Sequence, residues 1–550
     1  MSQKSQRLLI LGLDGATWSV LNPMRQRGVM PNLDALIRAS AHGTLRSVIP
    51  PVTTAAWTSL MTGCGPARHG VFDHRYYDAR TRQMKVNHSG RHRVPTFWHL
   101  LSDAGHTVGS LNVPGTYPPL SVRGVVVSGM DAPHLEAALS GNADFAARMR
   151  AEAPGYSLRY FWKHVPATLE ELQENARLTA ESFRGRAEGG WVVDRAFSDW
   201  SVLMVQFQNL DPFQHRAWKF LNVDATGIEN APWNDAAASV LRGLDQAIGR
   251  LCELAEKRGA AILVASDHGF GPCEGRISVN RILIDAGVAR LHGAVGRIAH
   301  KARCGLDQLR LRALKRNDPS ARTSSFTASV DAQFPLDWSK TRAFAPHQDT
   351  AAMIYLNTRS NDPRAPLVTP RQIDDARNET VINLATARHP ETGEPLFPRI
   401  IDVAQEYGLD PAALGYPDLI ALPHESHWVR TKLSNSRAWV EHDPALPGTH
   451  RPEGIVALKA QGVAPTQRLE ANLVDIAPTV LALFGQAAPA HMEGTPLPCV
   501  DRAPQKRTDA PAPSLSGMHT DARNAAAAFE YSAEDQAIIE QRLADLGYLE

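Results

Sequence analysis

Three short apolar runs constrain this chain most, because each leads directly into an acid. Leu8 to Leu13 is followed by Asp14, Ser201 to Leu210 by Asp211, and Ala260 to Ser266 by Asp267-His268. Runs this short and this rich in Val, Ile and Leu suit fully buried parallel strands. Thr107 to Leu111 and Gly124 to Val127 have the same character. Between them lie helical patterns such as Ala236 to Lys257, where Val240, Leu241, Leu244, Ile248, Leu251 and Leu254 recur at helical spacing. Strands alternating with helices predict an α/β fold: a mostly parallel central sheet with helices on both faces. Ligands of such sheets bind outside the carboxyl ends of the strands, so the three acids are expected to converge on one site. A single acid at a strand end serves as readily as a helix cap or turn residue. The histidines beside two of them argue for more.

Asp211-Pro212-Phe213-Gln214-His215 sets an acid and an imidazole one helical turn apart, with proline favouring a helix start. Carboxylate oxygen and imidazole nitrogen in that relation suit one divalent cation. Asp267 and His268 are adjacent, so on an extended chain they point to opposite sides; they reach a common cavity only if the strand end turns. In Pro50-Pro51-Val52-Thr53-Thr54 the prolines fix a turn into a helix, with a threonine at its start. Such a threonine is an N-cap, or a metal-activated nucleophile beside N–H groups that favour an anion. Spacing does not choose between Thr53 and Thr54.

The remaining organisation is simple. The late apolar stretch Val474 to Phe484 predicts a helix. Around Pro496 to Ser516 the chain is rich in Pro, Ala, Asp and Ser and reads as a linker, and Ser532-Ala533-Glu534-Asp535 opens a terminal helix. The expected division is a catalytic core over 1–285 and 418–490, an insertion or cap over 286–417, a linker-like segment over 496–531 and a C-terminal helix over 532–550. The insertion carries a basic stretch from Arg297 to Arg316, read as a solvated helix. With 58 Lys+Arg against 57 Asp+Glu, no global field attracts nucleic acid, and no nucleic-acid polymer is expected as a partner. No run approaches a transmembrane span. Five scattered cysteines (Cys64, Cys252, Cys273, Cys304 and Cys499) form no disulfide framework, and a cytoplasmic location is expected.

The chain resembles the alkaline phosphatase superfamily, in its branch of type I phosphodiesterases and nucleotide pyrophosphatases. The resemblance is carried by Leu11-Gly12-Leu13-Asp14-Gly15, the Thr53 to Gly63 segment, Pro66-Ala67-Arg68-His69-Gly70 and Asn112 to Pro119. It continues through Asp211 with His215, Ser266-Asp267-His268-Gly269-Phe270, Gly448-Thr449-His450, Asp475-Ile476-Ala477-Pro478-Thr479 and Leu546-Gly547-Tyr548. It implies an alkaline-phosphatase-like sheet with a cap and a tail, and two divalent ions, best Zn²⁺, with Mn²⁺ or Fe²⁺ as alternatives. By the same resemblance Asp14, Thr53, Asp267 and His268 surround one ion, and Asp211, His215 and His450 the other. Thr53 is the implied nucleophile and Thr54 the implied donor of a backbone N–H to the phosphoryl group.

Two departures qualify the resemblance. Where nucleotide pyrophosphatases carry an asparagine that supports a phosphoryl oxygen, this chain has His74, whose imidazole can still donate a hydrogen bond. The third-metal and arginine equipment of alkaline phosphatases proper has no match. Cys64-Gly65-Pro66-Ala67-Arg68 spells a sulfatase signature, yet it follows Thr62-Gly63 instead of preceding that element, so Cys64 is expected to be inert. The implied function is metal-dependent hydrolysis of small anionic phosphate esters, diesters first, through a phosphothreonine. The alternatives are transfer to an acceptor other than water, hydrolysis of phosphomonoesters, phosphonates or sulfate esters, and a metal-stabilised binding protein without catalysis.

Overall fold

The computed structural model describes residues 6–221, 231–293, 335–347, 349–359, 365–433, 437–465, 467–500, 529–546 and 548. The chain forms two compact units: Met1–Asp73 with Asn87–Pro272 and Ala445–Phe529, and His74–Val86 with Cys273–Pro444 and Glu530–Glu550. The basic stretch from Arg297 to Arg316 lies outside the described residues, as does the linker-like sequence from 501 to 528.

The first unit is built on an eight-stranded sheet. Across it run Arg468–Asn472, Ala41–Arg46, Glu453–Lys459, Ala261–Ala265, Leu8–Leu13, Val202–Phe207, Val108–Val113 and Gly124–Ser128. Glu453–Lys459 is antiparallel to both neighbours, and every other pairing is parallel. The five apolar runs of the sequence are its five strands from Ala261–Ala265 to the Gly124–Ser128 edge. Of the other three strands, Glu453–Lys459 is also a buried apolar run, while the two beyond it carry no such signal. Arg468–Asn472, at the opposite edge, alternates exposed and buried residues, and Ala41–Arg46 alternates buried with partly or fully exposed ones. An edge solvated on one face needs no continuous apolar run.

Leu8–Leu13 shows why the central strands are apolar throughout. Leu9, Leu11 and Leu13 enter a core shared with the long helices Leu169–Ala196 and Ala231–Arg258, while Leu8 and Ile10 enter a second core with Trp57, Leu60 and Trp98. Side chains alternate across a strand, so a sheet covered on both faces needs apolar residues at every position. Each fully buried Leu or Ile contributes on the order of 1.5–3 kcal/mol.

The second unit holds an antiparallel sheet of Ala343–Phe344, Ala352–Leu356, Leu419–Leu422 and Arg399–Asp402, and a three-stranded sheet of His427–Arg430, Gly275–Ser278 and Val440–Glu441. Its terminal helix, Ala533–Leu546, starts where Ser532 Oγ accepts from the Asp535 N–H at 3.1 Å. Among the described residues no helix is long and apolar enough to cross a membrane.

Candidate active site

The strand-end acids and the imidazoles around them all belong to the first unit. Leu8–Leu13 runs between Val202–Phe207 and Ala261–Ala265, with Gly12 opposite both Gln206 and Ala265. The three strands therefore end flush, and Asp14, Asp211 and Asp267 leave the sheet at the same end, all fully buried. Two glycines make this junction possible. A Cβ on Gly12 would stand 2.8 Å from Cη2 of Trp57 and 3.2 Å from Cγ of Gln206, two side chains that both bond Asp14. Gly15 is left-handed at φ +66°, and this turn aims its N–H at Asp267 Oδ1, 3.1 Å away. The Gly12-Leu13-Asp14-Gly15 sequence thus serves close packing and a tight turn around an acid, with no dinucleotide cradle.

Asp211 and His215 occupy successive turns of the helix Leu210–Leu221, with His215 Nε2 3.5 Å from Asp211 Oδ1. The strand ending at Ala265 bends at Asp267, so Asp267 and His268 face one cluster instead of opposite sides. His268 Nε2 lies 3.3 Å from Asp267 Oδ2, 3.6 Å from Asp14 Oδ1 and 4.0 Å from Asp211 Oδ1. His450 arrives on Gly448–Arg451, which pairs antiparallel with Gly269–Pro272 and sets His450 opposite Phe270. Its ring stacks on His268 with centroids 3.6 Å apart.

Thr53 is the first residue of the helix Thr53–Thr62, with its hydroxyl 3.3 Å from His268 Nε2. Helical bonding begins with the Ala56 N–H to Val52 O, so the first turn's N–H groups precede the ladder and favour an anion. Every residue of this helix is buried despite four Thr and one Ser. Thr58, Ser59 and Thr62 resolve that conflict by donating to the carbonyls of Thr54, Ala55 and Thr58, four residues earlier. Thr54 is buried one position after Thr53. His74 belongs to the second unit, where its ring lies 4.6 Å from that of Tyr548.

The protonation pattern fits divalent cations. Nδ1 of His215, His268 and His450 faces the carbonyls of Gly448, Gly269 and Pro51 at 2.9, 3.0 and 2.8 Å. Each Nδ1 therefore carries the proton and each Nε2 turns a lone pair inward. Nε2 of His215 and of His450 then meet at 3.0 Å, and His450 Nε2 meets Asp211 Oδ1 at 3.0 Å, acceptor against acceptor. Fully buried Asp14 Oδ1 and Asp267 Oδ2 have no hydrogen-bond partner. Burial, then the charges of Asp267 and Asp211, holds the Asp14 carboxyl well above the usual range. Asp267 is raised by burial and by Asp211, while His215 is pushed down to about 3 by burial. Lone pairs and carboxylates packed this way repel one another unless cations lie between them. Asp211, His215 and His450 form one group able to hold an ion, and Asp14, Asp211 and His268 another. Asp211 falls in both.

Cys64 is buried beyond the far end of the helix Thr53–Thr62, where its Sγ donates to the carbonyls of Thr62 and His491 and its thiol is pushed up to about 12. Such a thiol is inert. His69, outside the cluster, accepts from the Val71 N–H and bonds Ser59 Oγ at 2.8 Å, a structural tie. Burial also pushes His88 and His92 down to about 4 and holds His69 well below 6.5. The unfolded chain protonates these rings below about pH 6.5 while the folded chain does not. These three rings therefore draw stability down as pH drops from 6.5 towards 4, while the raised Asp14 and Asp267 carboxyls act in the opposite sense. The scale is about 1.4 kcal/mol for each tenfold loss of a ring's proton affinity on folding. The urea midpoint of metal-free His92→Gln protein is expected to fall less steeply across that window than that of the wild type, and an unchanged slope contradicts this.

Trp57, Gln206 and Asn112 also belong to the site, and the sequence reading gave none of them a role. Trp57 Nε1 and Gln206 Nε2 donate to Asp14 Oδ2 at 2.9 and 2.7 Å. A signal existed: a lone amide inside the buried strands Val202–Phe207 and Val108–Val113 needs a polar partner.

A profile described as type I phosphodiesterase / nucleotide pyrophosphatase matches residues 8–444. The fold is similar to that of phosphonoacetate hydrolase from Sinorhizobium meliloti 1021 in complex with phosphonoformate, with a TM-score of 0.53 and 18% identity over 88% of this chain and 96% of that one. Murine ectonucleotide pyrophosphatase / phosphodiesterase 5 is similar at a TM-score of 0.46 and 13% identity, over 88% of this chain and 97% of that one. No curated protein matched. The profile spans most of the chain, and the site assembles the same strand-end acids that first suggested it: the chain belongs to the type I phosphodiesterase / nucleotide pyrophosphatase family of the alkaline phosphatase superfamily.

Proposed function

We propose that this protein hydrolyses small-molecule phosphate esters, diesters in preference, through a phosphothreonine on Thr53. The observation that carries the reading is the Thr53 hydroxyl at a helix N-terminus, 3.3 Å from His268 Nε2, in a buried group of acids and imidazoles where Asp14 Oδ1 and Asp267 Oδ2 have no hydrogen-bond partner. Asp14, Asp267 and His268 would hold one divalent ion beside Thr53, and Asp211, His215 and His450 a second, with Asp211 near enough to serve both. Zn²⁺ suits this mixed Asp and His set best. When bound, such ions neutralise developing charge on attacking and leaving oxygens and lower the pKa of a coordinated hydroxyl.

The chain's own residues supply position. The helix start presents Thr53 Oγ1 and the Thr54 N–H to the phosphoryl group. The bond that forms is Thr53 Oγ1 to phosphorus, and the bond that breaks joins phosphorus to the leaving oxygen; water then repeats the displacement and frees Thr53. The fixed Nδ1 bonds of His215, His268 and His450 hold their rings in one tautomer throughout.

Side-by-side rates on bis(p-nitrophenyl) phosphate, p-nitrophenyl phosphate, p-nitrophenyl sulfate and phosphonoacetate test the substrate class. The diester is expected to be fastest, and a faster phosphonate, the compound named for the similar fold, would replace the diester reading. Product analysis with an added alcohol separates hydrolysis from transfer. Cysteines without a disulfide framework are the ground for proposing a cytoplasmic location; recovery from another fraction on cell fractionation would overturn it.

A further inference from the structure

Asp14 is held by a line of buried amides that begins two strands away. Gln206, at the end of Val202–Phe207, donates both hydrogens of its Nε2, one to Asp14 Oδ2 at 2.7 Å and one to Gln208 Oε1 at 2.9 Å. Its Oε1 accepts from Asn112 Nδ2 at 2.6 Å. Gln206 is fully buried and Asn112 is 2% exposed, so water does not replace these bonds. Asn112 sits at an irregularity between Leu111 and Val113 with a left-handed φ of 67°, a conformation that asparagine tolerates better than most residues with a Cβ. Its buried amide, bonded to Gln206 Oε1, points to a duty of its side chain.

Polarity defines that duty. An amide can sit in a pocket either way round, and a flipped Gln206 would set its carbonyl oxygen against the Asp14 carboxylate. The Asn112 Nδ2 donor, tied also to the Gln206 backbone carbonyl at 3.4 Å, opposes the flip, because it would then face an N–H₂ group. With Gln206 and Trp57 both donating to Oδ2, that oxygen is saturated, and the other, Oδ1, is left facing His268 Nε2 without a partner. We propose that Asn112 is a positioning residue that acts through Gln206 to fix which oxygen of Asp14 faces the metal cluster. The inference rests on the reading of Asp14 as a metal ligand.

Zn²⁺ affinity of the full chain, measured by competition with a chromophoric chelator, tests it together with the thermal stability of the metal-free protein. Asn112→Gly removes the amide and relieves the backbone. It is expected to weaken one of the two zinc equivalents about ten- to a hundredfold, the size of outer-shell losses, while the freer backbone offsets part of the cost of leaving Gln206 Oε1 without a donor. Asn112→Ala removes the donor to Gln206 and keeps a Cβ; it is expected to weaken the same equivalent and serves if the glycine variant folds poorly. Wild-type affinity for both equivalents in either folded variant overturns the inference. Asp14→Asn, run in parallel, separates the two claims. If it loses the same equivalent while the Asn112 variants keep it, only the relay is wrong; if it retains both, the ligand reading of Asp14 is wrong.

Discussion

Thr53→Ala is expected to lower diester turnover by about 10⁴-fold or more, as removal of a nucleophile does in other covalent mechanisms. The fold and metal content are expected to stay near wild type, because the change deletes a hydroxyl and a methyl from a helix whose other contacts are untouched. Thr53 Oγ1 has His268 Nε2 at 3.3 Å, and His268 keeps its Nδ1 bond to Gly269 O in the variant. Acid-quenched wild-type enzyme is expected to carry phosphate on Thr53 by mass spectrometry, and the variant none. Full turnover by Thr53→Ala would remove the nucleophile from the mechanism, and phosphate on Thr54 instead would move it by one residue. Neither result would disturb the metal assignments.

His450→Ala carries the second large effect: a loss of about one metal equivalent by elemental analysis. Turnover is expected to fall at least about a hundredfold, since even outer-shell losses reach that size. His450 Nε2 is 3.0 Å from both His215 Nε2 and Asp211 Oδ1, and no other described imidazole joins that group. Without a cation these atoms repel, so the metal-free variant is expected to be no less stable than the metal-free wild type. Added Zn²⁺ should raise its melting temperature less than that of the wild type, because ligand stabilisation follows affinity. Two retained equivalents would contradict the role given to His450.

Legibility from sequence differed from residue to residue for physical reasons. The strands ending at Asp14, Asp211 and Asp267 were legible because burial on both sheet faces demands continuous apolar runs. Asp211 and His215 were legible because one helical turn joins them. The helix Leu169–Ala196 was not anticipated; its buried face mixes Ala, Gly, Ser and Thr with few large apolar residues, which blurs the periodicity. The Asp267–His268 pair was half legible, since only the bend after Ala265 turns both inward. Gln206 and Asn112 carried a signal without a partner: a lone amide in a buried strand implies a bond but does not say to what.

His450 marks the limit. Its family motif identified it, yet nothing local distinguishes it from a solvated loop histidine, because its position depends on pairing between Gly448–Arg451 and Gly269–Pro272, far apart in the chain. The same pairing brings Gly448 O to His215 Nδ1 and so fixes a second imidazole. By itself the sequence determined five strands of the sheet, the strand-end acids and the threonine at a helix start, since each follows from local periodicity or from a short motif. Only the tertiary structure decided which atoms face one another: the inward Nε2 lone pairs, the orphaned carboxylate oxygens, Asp211 within reach of both groups and the amide line from Asn112. Those relations are set by strand register and side-chain packing across the fold, which no local pattern encodes.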